Sequence, residues 1–365
     1  MMDLRAGAFD IDSVTPVRAL MECWETEAWD QEAFPAQRLD ALRATAAWTA
    51  FAEVSPGRDA QDLLDVLRLI GRVDLSLGRL YEGHVNGLQL VSTYGSEDQR
   101  AEMLRVSEAG ALFGVWATEP VPGLSITPSA DGAWRLEGRK SFATGAGHVD
   151  RALVTALRAD GTKQLVNVDL TNEKHRADTS GWRVRGMQGT ISGLFDFSGI
   201  TVGSDSLIGA PDDYQTEPRF SAGAWRFTAV QLGAVEGLAR HLREHLVATG
   251  KGGDPIQRAR FASCVAGARS AGEWVRRAAQ LAEAQSDDAV PFVLMTRGIV
   301  EEAGLAMMDA AARSVGTASF FTGNPIDRIT RDLGLYLRQP VPDQARDRAA
   351  AAWLEADCWG EDPWW

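Results

Sequence analysis

Cysteine is scarce in this chain. Cys23, Cys264 and Cys358 are odd in number and far apart, which excludes a disulfide framework and offers no metal-ligand spacing. Long apolar runs are missing as well, since none reaches the ~18 residues of a membrane-spanning helix. The opening stretch, MMDLRAGAFDIDS, lacks the apolar segment of a secretory signal. Cationic blocks are absent, and with a net charge of -13 the chain carries no footprint for nucleic acid. Serine-hydrolase, P-loop and dinucleotide-binding G-x-G-x-x-G patterns do not occur, nor do internal repeats. The expectation left standing is a cytoplasmic protein with no membrane, metal or nucleic-acid partner.

What is present is ample core-forming material. The 365 residues are 45% hydrophobic and 24% charged, enough for several domains or one large one. Residues 1–110 read as an α-helical domain. Ser96-Glu97-Asp98-Gln99 has capping-box spacing and opens a helix that ends near Gly110. After Ser55-Pro56, Leu63, Leu64, Leu67 and Ile70 recur at helical spacing. Residues 111–220 read as a small antiparallel β-domain, with WRLEGRKSFAT, RALVTAL, a turn at Asp160-Gly161, QLVNVDL and LFDFSGITV in succession. Residues 221–365 return to helical spacing. Phe261, Val265, Ala268, Gly272, Val275, Ala279 and Ala282 form a narrow face of mainly small residues, suited to close helix packing. A further helix over about 292–315 stops at Gly316. Strands grouped between two helical regions predict an α+β fold with segregated domains.

Two segments carry the functional signal. FGVWATEPVPG (113–123) and GRKSFATGAG (138–147) each end a β-run in a threonine flanked by small residues. Gly83-His84-Val85-Asn86 precedes them, and W…GMQGTISGLFDF (182–197) and NPIDRITRD (324–332) follow. In that order and spacing, the chain resembles the acyl-CoA dehydrogenase superfamily over nearly its whole length. The resemblance implies an N-terminal α-helical domain, a middle antiparallel β-barrel or sandwich and a C-terminal four-helix bundle, assembled as a homodimer or homotetramer. It also implies FAD as cofactor and oxidation of the CH–CH group of an acyl thioester or related substrate, possible acyl-CoA included.

An isoalloxazine ring needs an apolar wall on one face and hydrogen-bond partners along its edge. The residues the resemblance assigns to the cofactor are Trp116, Ala117, Thr118, Gly123, Ser125, Phe142, Ala143 and Thr144. Ala117 and Thr118 would meet the pyrimidine edge, Phe142 would flank the ring in place of the usual tryptophan, and Thr144 would offer its hydroxyl near N5. The turn at 121–125 would approach the pyrophosphate, because glycine lets backbone N–H groups come close to phosphate oxygens.

The chain also departs from the family. Pro340 stands where the usual catalytic glutamate would be, and Gly223 or Ala224 occupies the alternative position, so the catalytic residue is unknown. Asp343 is the nearest acidic substitute, three residues off and beside two prolines. Lys251 takes the place of the arginine that reaches a neighbouring subunit's pyrophosphate, SVGTASFF (314–321) that of the glutamine-bearing flavin segment, and Leu124 that of a phosphate-contacting serine. A flavin-dependent monooxygenase on the same scaffold is the second reading, because it has no α-proton to remove. A non-catalytic family member is the third.

The remaining candidates have plainer explanations. His241 and His245 are one helical turn apart, but the order of the acid is wrong for a zinc-protease helix and no third ligand is evident. His84 is expected to be held by a local carbonyl, the alternative being support of oxygen chemistry. Glu301 and Glu302 read as solvent-facing charges, and the terminal Trp359, Trp364 and Trp365 as a segment packing on a partner subunit.

Overall fold

Helix punctuation follows local chemistry. In the computed structural model, which describes residues 12–25, 32–130, 132–356, 358–359 and 362–363, the chain begins with α1 (Val14–Trp24) and α2 (Ala36–Arg43). Next comes α3 (Arg58–Val73), whose Leu63, Leu64, Leu67 and Ile70 are all buried as their spacing predicts. Asp74 is extended and breaks the helix. Its carboxylate then accepts the Leu77 N–H at 3.0 Å and caps α4 (Leu75–Tyr94). The expected capping box at Ser96 and Gln99 opens α5 (Glu97–Glu108), and Gly110 turns the chain at φ 93°.

The strands follow: β1 (Phe113–Trp116), β2 (Ser125–Pro128), β3 (Trp134–Glu137), β4 (Arg139–Ala143), β5 (Arg151–Leu157), β6 (Lys163–Asp169), β7 (Ala177–Asp178), β8 (Gly193–Asp196), β9 (Thr201–Val202) and β10 (Leu207–Ile208). A seven-stranded sheet runs β10-β6-β5-β2-β3-β9, with β1 also on β5, and a three-stranded sheet runs β4-β8-β7. Pairing is antiparallel except where β1 and β2 meet β5 in parallel. Trp116, Phe195 and Phe197 pack together between the sheets, with ring centroids 4.8–6.2 Å apart.

Helices then resume as α6 (Arg219–Ala222), α7 (Trp225–Ala248), α8 (Pro255–Glu283), α9 (Ala289–Val315), α10 (Pro325–Tyr336) and α11 (Pro342–Glu355), followed by the short β11 (Cys358–Trp359) and β12 (Asp362–Pro363). α9 stops at Gly316 as predicted. The closest helix approach lies between α3 and α7, where a Cβ on Gly71 would sit 2.1 Å from the Val230 carbonyl oxygen and one on Gly233 2.2 Å from that of Arg68. The face foreseen on α8 is rotated. Ala268, Val275 and Ala279 are buried beside Cys264, Ala271 and Ala278, whereas Val265 is exposed and Gly272 faces open space. Glu301 also corrects its expected solvent exposure: it is buried and paired with Arg338, while Glu302 stays outside, paired with Arg346. The packing expected of Trp364 and Trp365 lies outside the described residues. Among the described residues, no helix is long and apolar enough to cross a membrane.

Candidate functional site

The ends of β1 and β4 are tied together by three links. The Trp116 indole N–H donates to the Thr144 carbonyl at 3.0 Å, and the Ser141 N–H donates to that of Thr118 at 2.9 Å. The third link is Lys140. Its ammonium is fully buried and donates to Glu119 Oε2 at 2.6 Å, Thr155 Oγ1 at 3.1 Å and the Ala117 carbonyl at 3.3 Å. Burial lowers its pKa, and the Glu119 carboxylate opposes that shift.

A β-bulge between Lys140 and Ala143 pushes Phe142 into the left-handed region at φ 51° and leaves its side chain 67% exposed. A bulky residue in that conformation is strained, and a large apolar ring in water has no packing to offset the cost. Ala117 and Thr118 lie exposed at the end of β1, and Thr144 is half-buried. An exposed apolar ring, two exposed residues at a strand end and a half-buried threonine thus lie on the linked ends of β1 and β4, and a flavin ring requires such an apolar face and polar edge.

The other assigned residues are differently engaged. Trp116 and Ala143 are core side chains. The Ser125 hydroxyl donates to the Glu137 carbonyl at 3.2 Å within the β2–β3 pair. At the turn, the Leu124 N–H donates to Glu119 Oε2 at 3.3 Å, and Gly123 packs against the same carboxylate. An internal carboxylate thus meets the turn through which a pyrophosphate was expected.

α4 packs on β1, and a small hollow with room for about one water is left between Arg79, Leu80 and Gly83 on the helix and Trp116, Thr144 and Val149 opposite. Sequence reasoning missed Arg79, whose only signal was its place on the apolar helix just before Gly83-His84-Val85-Asn86. Arg79 pairs with the buried Glu82, which also accepts from the Asn86 side-chain amide. Asn86 accepts from Arg226 Nε at 2.6 Å, and Glu283 accepts from Arg226 at 3.0 Å and from the Trp225 indole at 2.8 Å. Burial works against the charged form of Arg79, but the Glu82 carboxylate outweighs it and raises the pKa above its ordinary value.

His84 is structural. Its ring is fully buried, stacks on Trp48 at 3.9 Å, lies 2.9 Å from the Trp48 carbonyl through Nε2 and accepts the Phe113 N–H at Nδ1. Burial pushes its pKa down to about 3, so the ring is neutral. Asp332 ties the 182–197 loop to α10 by accepting the Met187 N–H at 2.6 Å, and desolvation pushes its pKa up to about 6.

Neither expected base position holds a carboxylate. Gly223 and Ala224 form the α6–α7 junction, and the carbonyl of Pro340 accepts from Arg297. Asp343 is exposed in the first turn of α11. Lys251 donates to the Ser314 carbonyl at 3.2 Å, capping the end of α9. His241 meets Glu244, and among the described residues no group of three potential metal ligands occurs.

No family profile matches the chain. Dibenzothiophene monooxygenase from Rhodococcus erythropolis is 27% identical over 224 residues, covering 57% of this chain and 54% of the relative. The chain thus spans about half the length of the curated relatives it matches. Among solved structures, the dibenzothiophene monooxygenase TdsC from Paenibacillus sp. A11-2, in complex with FMN and indole, superposes with a TM-score of 0.82 at 18% identity, covering 94% of this chain and 96% of the other. Butyryl-CoA dehydrogenase from Megasphaera elsdenii superposes with a TM-score of 0.81 at 15% identity, covering 96% and 100%. The architecture is α+β, with helices before and after the main sheets. More particularly, it is the fold of the acyl-CoA dehydrogenase superfamily.

Proposed function

We propose that this protein is a flavin-dependent monooxygenase built on the acyl-CoA dehydrogenase fold, acting on a small planar substrate. The observation that carries the reading is the lack of a carboxylate at either dehydrogenase base position, with Pro340 at one and Gly223-Ala224 at the other. Abstraction of an α-proton needs a base within hydrogen-bond reach, whereas oxygen transfer to an aromatic or heteroatom centre does not require that step. The likeness to dibenzothiophene monooxygenases in both sequence and fold supports the same choice over acyl-CoA oxidation.

The residues suited to hold the flavin are Phe142 as the apolar wall, Ala117 and Thr118 along the edge, and Thr144 beside the ring. We read the cofactor as FMN rather than the FAD the sequence suggested. The turn at 121–125 is already tied to Glu119 through the Leu124 N–H, Lys251 is engaged at the end of α9, and the TdsC relative of the same fold binds FMN. When bound, the flavin supplies two electrons for the reduction of dioxygen. The chain's own part would be to orient the ring through Thr144, whose carbonyl the Trp116 indole holds.

The test is direct. Purified protein reconstituted with FMN and chemically reduced without oxygen is mixed with buffer equilibrated with isotopically labelled dioxygen and an aromatic heterocycle. The expected product contains one atom from labelled dioxygen. Anaerobic bleaching of the oxidised flavin by an acyl-CoA, with no labelled product, would overturn the proposal in favour of a dehydrogenase.

A further inference from the structure

Lys140 is a buried cation whose partners gather on one short segment. Its ammonium donates to the Ala117 carbonyl at 3.3 Å, to Glu119 Oε2 at 2.6 Å and to Thr155 Oγ1 at 3.1 Å. Burying an ammonium is costly, and an apolar side chain of similar size would join two strands as well. The acceptors show where the charge acts, since Ala117 and Glu119 bracket the stretch read as the flavin edge. The Ala117–Thr118 peptide is trans, so its carbonyl and its N–H point to opposite sides. With the carbonyl held on the ammonium, the Thr118 N–H is turned away from it. Among the described residues that N–H has no acceptor, and Thr118 is exposed. The next carbonyl, that of Thr118, is fixed in turn by the Ser141 N–H at 2.9 Å. A charged donor on a peptide carbonyl also polarises the peptide and strengthens its N–H as a donor.

We propose that Lys140 is a positioning residue for the cofactor. Acting through the Ala117–Thr118 peptide, it presents the Thr118 N–H as a preset donor to the pyrimidine edge of FMN, and so favours the electron-rich reduced ring over the oxidised one. This rests on the reading of the β1–β4 end as a flavin site and does not depend on the substrate.

The test titrates the full-length apoprotein with FMN, oxidised in air and reduced without oxygen, and measures the midpoint potential of the bound flavin against reference dyes. In Lys140→Met, affinity should fall about tenfold for oxidised FMN and about a hundredfold for the reduced form, which moves the midpoint about 30 mV more negative for a two-electron couple. Because Lys140→Met disturbs the Glu119 carboxylate, Lys140→Met/Glu119→Gln, which removes both charges, is measured in parallel and should show the same shift. Thr155→Val removes the acceptor that lies off the edge. It should lower stability without moving the potential, which separates positioning from general support of the fold. An unchanged potential in either Lys140 variant, or the same shift in Thr155→Val, would overturn the proposal alone. Failure of the parent to bind FMN would overturn it together with the flavin reading. A Lys140-dependent potential in a protein that transfers no oxygen would sink only the monooxygenase function.

Discussion

A buried polar side chain either has all its partners inside the protein or waits for one from outside. Lys140 and His84 belong to the first kind. Lys140 escaped sequence reasoning for a physical reason. Strict alternation along β4 would put Lys140 and Phe142 on one face, yet Lys140 is buried and Phe142 exposed, because the bulge between Lys140 and Ala143 reverses the parity. Thr118 and Thr144 follow the ends of β1 and β4, as their β-runs predicted, but no periodicity announces a bulge. Lys140→Met removes the ammonium from Thr155 and the Ala117 carbonyl and leaves Glu119 with the Leu124 N–H and the more distant Lys163. Urea denaturation should show a loss of about 2–3 kcal/mol, and unchanged stability would remove Lys140 from its place as the clamp of the 117–124 segment. For Phe142, truncation to alanine relieves no packing inside the fold, so its stability should change by less than about 0.5 kcal/mol. FMN affinity, read by flavin fluorescence quenching, should nevertheless fall about tenfold, the worth of one aromatic contact.

Helices were legible from spacing and caps, their partners less so. The capping box at Ser96, the leucine stripe of α3 and the glycine stop of α9 are local signals, and all three stand where the sequence put them. The α8 face was displaced because two adjoining stripes of one helix share residues, and only the packing of α9, α7 and α3 against α8 decides which stripe is covered. The parallel pairing of β1 and β2 with β5 likewise depends on topology that no single strand encodes. α8 packs against α9 and α7 as its small residues suggested, and a further close approach joins α3 to α7, where Gly71 and Gly233 leave room for the neighbouring backbone. Two glycine substitutions separate the cases. Gly233→Ala forces a Cβ to 2.2 Å from the Arg68 carbonyl oxygen and should destabilise the protein, by about 1–3 kcal/mol in chemical denaturation. Gly272→Ala meets open space within a helix and should stabilise by about 0.5–1 kcal/mol. Equal effects at the two positions would refute this account of the helix contact.

At the scale of the whole molecule, two buried titrating groups act on stability with opposite signs. His84 has a folded pKa of about 3 against an ordinary 6.5, so between those values the unfolded chain binds a proton that the folded chain refuses. Its contribution is complete above pH 6.5 and is lost as pH falls toward 3. Asp332 runs the other way. Desolvation, reinforced by Asp74 and opposed by the Met187 N–H, Arg328 and Arg331, raises its pKa to about 6 from 3.8, so the folded chain holds the extra proton. Its contribution is complete below pH 3.8 and is lost as pH rises through 6. Each proton linkage is worth roughly 1.4 kcal/mol per pH unit, so over the shared window of about pH 4–6 the two slopes largely cancel. Asp332→Asn keeps an acceptor for Met187 but cannot titrate; relative to the unmodified protein, its unfolding free energy should climb with pH across that window. His84→Asn should do the reverse and fall with pH relative to the parent, whatever constant offset the lost stacking on Trp48 imposes. Denaturant titrations at several pH values between 4 and 6 measure both differences. Because the test reads slopes and not absolute stability, a destabilised variant still decides it. Parallel pH profiles for parent and variant would show that neither group is held in the protonation state that its burial dictates.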